Sequence, residues 1–142
     1  MKTKINLIAF LILFTGMISS CKKDDNSSPS NTNSTNVSNI ITVGSWRVSY
    51  FHDGPDDHTS SFSGYSFIFS GNGSMTATNA GGTTNGKWSM DDSKNEFKIT
   101  LSNTNPLKDL SHGWTVISKT STDIVLKDDN ATHNEELHFT KI

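Results

Sequence analysis

From residue 44 to the end, apolar and polar positions alternate with a period of two, the signature of strands with one dry and one wet face. The alternation predicts strands over 44–52, 63–70, 73–79, 83–90, 96–102, 113–119, 123–128 and 134–142. Turn chemistry separates them. Gly71-Asn72-Gly73 and Gly81-Gly82 supply the positive φ angles of tight hairpins, and 91–95 and Asp128-Asp129-Asn130 are polar turns. Eight short strands at regular spacing indicate an all-β antiparallel meander. Closing it into an eight-stranded up-and-down barrel buries the apolar face and removes exposed edges. One short helix is expected over 105–110: Asn105 can cap it, Pro106 suits its first turn, and Leu107 and Leu110 lie three apart. It is placed at one barrel end, with an irregular turn as the alternative.

Strand parity assigns the side chains. One face collects Trp46, Val48, Tyr50, Tyr65, Phe67, Phe69, Met75, Ala77, Trp88, Met90, Phe97, Ile99, Leu101, Trp114, Val116, Ile124, Leu126, Leu137 and Phe139. The other is mostly Ser, Thr, Lys, Arg and His, with Ile68, Ile117 and Val125 as apolar exceptions. A three-residue loop, Thr120-Ser121-Thr122, would set Ile117 opposite Val125. With Ile68 or Phe51 nearby they would form an exposed apolar patch, which often marks a contact surface.

Several runs resemble the lipocalin-like lipoprotein domains of Bacteroidota. They are Gly44-Ser45-Trp46, Ser63-Gly64-Tyr65-Ser66-Phe67-Ile68-Phe69, Gly71-Asn72-Gly73-Ser74, Gly86-Lys87-Trp88, the stretch from Trp114 to Thr120, and the closing Leu137-His138-Phe139-Thr140-Lys141-Ile142. The resemblance spans roughly residues 42–142 and implies a lipocalin-like barrel. It implies no activity, because most members of that group have no established function. The chain is shorter than a typical lipocalin and lacks a long C-terminal helix.

The first forty residues follow a different logic. Lys2 and Lys4 precede an uncharged apolar stretch over 5–18, whose helix would rise about 21 Å against a bilayer core of about 30 Å. A secretory signal peptide over 1–20 fits better than a spanning helix. The only cysteine of the chain, Cys21, follows Ile18-Ser19-Ser20, and this junction resembles a bacterial lipobox. The resemblance implies acylation of Cys21, with three chains in the mature form, and so a palmitate-type anchor in the outer membrane. One chain binds a membrane marginally, whereas two or more hold it. Lys22, Lys23, Asp24 and Asp25 resemble the surface-export signal of Bacteroidota lipoproteins, which implies display on the cell surface. The alternative is a solvated charge cluster on a lipoprotein facing the periplasm. Residues 24–39 are almost wholly Asn, Ser, Thr and Asp, so the lipidated cysteine and a disordered polar tether occupy 21–39. The barrel domain occupies 40–142.

Charge and chemistry narrow the function. The net charge is −2, and removing Lys2 and Lys4 with a leader makes the remainder more acidic. Nucleic-acid binding, which needs a basic patch, is not expected. With Cys21 acylated no disulfide can form. No Gly-x-Ser-x-Gly elbow, phosphate-binding glycine loop or His-Glu-x-x-His occurs, so no enzyme is expected and no cofactor is implied. His112, next to Trp114, is expected to pack at a strand entrance. The loop His52-Asp53-Gly54-Pro55-Asp56-Asp57-His58 carries metal-ligand residue types, and the segment 128–136 carries them less favourably. Neither spacing matches a calcium or zinc pattern, and no metal is assigned.

Two functions fit. The first is a membrane-anchored binding module in which Trp46, Tyr65, Phe67, Phe69, Trp88 and Trp114 line a pocket for a small apolar molecule. The second is a structural or interaction module whose filled barrel contacts a protein or glycan partner. Nine of the eleven aromatic residues after Cys21 fall on the inward face, and bulk of that order favours a filled interior.

Overall fold

The computed structural model describes residues 36–130 and 132–142. Chain order gives α1 (Val37–Ile41), β1 (Trp46–Asp53), β2 (Asp56–Asp57), a 3₁₀ turn Thr59–Phe62, β3 (Ser66–Phe69), β4 (Ser74–Asn79) and β5 (Gly82–Asp91). Then come β6 (Glu96–Thr100), a 3₁₀ turn Leu107–Leu110, β7 (Gly113–Lys119), β8 (Asp123–Asp128) and β9 (Glu135–Lys141). Every pairing is antiparallel, and β1 pairs with β9 as well as with β3, so eight strands close into a barrel. The two-residue β2 only hooks back onto the end of β1, His52 opposite Asp57. All eight expected strands are present, within a few residues of their expected bounds.

Turn residues set the register. Gly73 takes φ +83° in the β3–β4 hairpin, while the Asn72 side chain accepts from the Ser74 N–H. The seam between β1 and β3 is thin: Trp46 opposite Phe67 is its only registered pair. By contrast β1 pairs with β9 along almost its full length.

Two β-bulges correct the parity assignment. In β1 the register shifts between Val48 and Tyr50, which turns Tyr50 outward and drives Phe51 into the core. Tyr50 instead stacks between His52 and His138 on the outer face, with ring centroids 4.1 and 4.6 Å away. In β7 the shift falls between Val116 and Ser118, so Val125 faces Ser118 rather than Ile117. Ile117 is therefore exposed alone. Ile68 sits on β3 across the barrel and Phe51 is inside, so the expected apolar patch does not form.

The helical parts also differ from expectation. Residues 107–110 form one 3₁₀ turn preceded by a cis Asn105–Pro106 bond, and Asn105 makes no capping bond. Leu107 and Leu110 are nevertheless buried at a barrel end. The α-helix lies earlier, where the tether was expected to finish. Asn36 caps it by accepting from the Ser38 N–H, and Val37, Ile40 and Ile41 bury one face at helical spacing. Helix residues 37–39 thus lie ahead of residue 40, where the barrel domain was expected to begin.

Candidate functional site

The side chains proposed to line a pocket lie inside the barrel, packed against one another. Trp114 meets Phe51 at 6.3 Å between ring centroids, Phe51 meets Phe62 at 5.3 Å, and Phe62 meets Tyr65 at 6.5 Å. Tyr65 lies 6.0 Å from Phe67, Phe67 5.4 Å from Phe139, and Phe139 5.5 Å from Phe69. Phe69 then contacts both Trp88 and Phe97 at 5.9 Å. This aromatic column is unbroken. Phe69 on β3 touches rings on β6 and β9, strands that are not its sheet neighbours, so its contacts cross the lumen.

The three indoles are fully committed. Trp46 Nε1 donates to the Ile41 carbonyl, Trp88 Nε1 to Ser70 and Trp114 Nε1 to Leu110. None has an N–H left to orient a guest. Trp46, Phe67 and Trp114 are wholly buried, Phe69 and Trp88 nearly so, and Tyr65 is half-buried. Parity missed Phe51 and Phe62, the first because of the bulge and the second because it sits on a 3₁₀ turn.

Chemistry-bearing side chains converge at the barrel end where β8 stops and β7 and β9 begin. Asp128 closes β8, Glu135 opens β9, His133 lies in the loop between them, and His112 enters β7. His133 Nδ1 is 3.0 Å from Asp128 Oδ2, and His112 Nε2 is 3.0 Å from Glu135 Oε2. The His112 ring also packs 4.1 Å from Trp114, as expected for a residue at a strand entrance. Asp129 folds back over Gly113. A Cβ there would run into Asp129 Oδ2, so this position admits glycine with the carboxylate in place.

Asp128 is the one buried charged residue in the described core, its side chain 3 % exposed. Burial alone would raise its pKa, but the Asn130 backbone N–H, the charge of His112 and the bond from His133 outweigh it and hold the carboxyl below its ordinary value. Glu135 moves the other way. Burial raises it first, and the neighbouring Asp128 and Asp53 charges add to that against the pull of His112. Two carboxyls displaced in opposite directions at one barrel mouth mark a shared electrostatic environment.

The loop expected to be the better ligand set is arranged differently. Asp57 accepts from the Thr59 N–H and lies 3.5 Å from His52, while His58 rests against Phe51. Those groups point into separate contacts. The segment 128–136 gains a further neighbour in His112, which is distant in sequence and arrives only when the barrel closes. Cys21, Lys22, Lys23, Asp24 and Asp25 lie outside the described residues.

No protein-family model matches the chain, and no curated protein matches it. Solved structures do. A DUF4847 family protein from Bacteroides vulgatus superposes with a TM-score of 0.57 at 15% identity, over 75% of this chain and 98% of that one. A lipocalin-like protein from Bacteroides uniformis gives 0.53 at 15% identity, over 72% and 99%. An uncharacterized protein from Bacteroides eggerthii gives 0.53 at 17%, over 71% and 99%. At these identities the likeness concerns the fold, and the fold is a lipocalin-like barrel.

Proposed function

We propose that this chain is a membrane-anchored lipoprotein whose barrel serves as an interaction module, contacting a protein or glycan partner through its outer face and loops. The observation that carries this reading is the aromatic column, which occupies the lumen where a lipocalin-like barrel would otherwise hold a guest. With the interior taken by its own rings, recognition falls to the outside. A polar depression on β4–β6, lined by Ser74, Lys87, Ser89, Lys98 and Thr100, offers hydroxyls and ammonium groups suited to such contacts. In this reading the domain performs no catalysis.

Titrating the purified chain with fatty acids, sterols and isoprenoids, while following tryptophan emission, is expected to give a flat response. A saturable one-to-one quench by any of them would restore the apolar-ligand reading.

Anchoring rests on the lipobox-like junction at Cys21, with Lys22, Lys23, Asp24 and Asp25 as the surface address. Cys21→Ala is expected to abolish palmitate labelling and to move the protein out of the membrane fraction. Triple replacement of Lys23, Asp24 and Asp25 by alanine is expected to leave it anchored but shielded from protease added to whole cells. Persistence of the Cys21→Ala protein in membranes would rule out lipid anchoring at that residue, and unchanged protease access would rule out the address.

A further inference from the structure

We propose that the barrel end around the β8–β9 loop binds one divalent transition-metal ion, held by Asp128, His133 and Glu135, with His112 positioning Glu135. The three residues each bring one donor atom, and these atoms lie within 4.8 Å of one another. Metal–nitrogen and metal–oxygen bonds of about 2.1 Å place neighbouring ligand atoms about 3.0–3.4 Å apart around an ion. The 3.0 Å separation of His133 Nδ1 from Asp128 Oδ2 is already of that size. Small side-chain rotations of Glu135 and the exposed His133 complete the set.

His112 positions Glu135 beside the other two ligands. Both ring nitrogens of His112 face acceptors. Nδ1 lies 2.9 Å from the Gly113 carbonyl and 3.7 Å from Asp128 Oδ1. Nε2 lies 3.2 Å from the Asp109 carbonyl and 3.0 Å from Glu135 Oε2. These contacts fix the ring between the two carboxylates, and the one at Nε2 holds Glu135 in place. Among the described residues, the only lysine or arginine ion pair is Lys94 with Asp91, on a different turn. Buried charges are ordinarily paired or bound to metal, and Asp128 is a nearly inaccessible carboxylate whose charged neighbours are histidines and other carboxylates.

Donor chemistry selects the ion. Imidazole with carboxylate suits zinc and its first-row neighbours, whereas calcium prefers six to eight oxygens. Three protein ligands would leave a position for water on the exposed His133 side. The ion would join Asp128, which ends β8, to Glu135, which begins β9, and so staple the loop between them.

Competition titration of the purified full chain with Zn²⁺ is expected to show one ion bound per chain, with Ca²⁺ in large excess failing to displace it. His133→Ala and Glu135→Gln should each weaken binding at least tenfold, and His112→Gln by roughly 10–100-fold, as for residues that orient a ligand. His133 is 60 % exposed, so its alanine variant retains the fold and isolates the ligand effect. His52→Ala, in the outward stack with Tyr50, should bind as the parent does. The proposal falls if Zn²⁺ binding is not saturable at one per chain. It falls equally if His133→Ala binds like the parent, or if His52→Ala removes the binding.

Discussion

Replacing Phe69 with alanine is expected to destabilise the barrel by roughly 3–5 kcal/mol, the range for truncating a buried aromatic that leaves a void. Phe69 is 1 % exposed and meets Trp88, Phe97 and Phe139, rings supplied by three other strands. Its removal strips packing from all three at once, and no single strand can move inward to refill the space. A domain of this size is stable by about 5–15 kcal/mol in total, so the loss takes a large share. Thermal unfolding should fall by on the order of 12–40 °C, at about 4–8 °C per kcal/mol. Phe69→Leu, which keeps most of the volume, should cost about 1 kcal/mol. The void also offers a functional readout. Apolar cavities of this kind stay dry and admit benzene-sized guests. Phe69→Ala should therefore gain binding of a small aromatic probe that the parent ignores. If the parent binds the probe as well as the variant does, the lumen is not filled and the interaction-module reading loses its main support.

Much of this was legible in the sequence. Period-two alternation located every barrel strand because each has one buried face, and a misplaced strand would expose a row of rings. The bulges were not legible. Nothing local marks Ser49 as the place where β1 slips, since both Tyr50 and Phe51 can fill an inward position. Only pairing with β9 decides between them. Similarly, Val37, Ile40 and Ile41 have helical spacing but stand beside an Asn, Ser and Thr tract of low helix propensity. Their helix is sustained by burial, with Trp46 bonding to its last carbonyl. The acid–histidine cluster is legible only in part. Asp128, His133 and Glu135 are neighbours in sequence. His112 reaches them because β7 and β8 pair, with Trp114 opposite Asp128.

The second large effect is expected at Trp46, where the barrel is least cross-linked. The side chain is wholly buried, donates to the Ile41 carbonyl at 2.8 Å and holds Lys141 Nζ 5.1 Å above its ring. It also provides the single registered pair between β1 and β3. Trp46→Ala should lose roughly 3–5 kcal/mol from packing. Trp46→Phe separates the polar part: it keeps most of the ring but leaves the Ile41 carbonyl without its donor, at about 1–3 kcal/mol if water cannot reach it. Location distinguishes this site from Phe69. Because α1 and the β1–β3 seam depend on Trp46, native-state hydrogen exchange in the Phe variant should quicken first at the amides of α1 and at the Val43 N–H, which bonds to Ile40. Amides in the fully laddered β5–β6 pair should keep their protection. Uniform acceleration around the barrel would mean that the seam opens only when the whole domain unfolds. Selective acceleration would make α1 and the β1–β3 seam the first part of the barrel to open, at the end opposite the acid–histidine cluster.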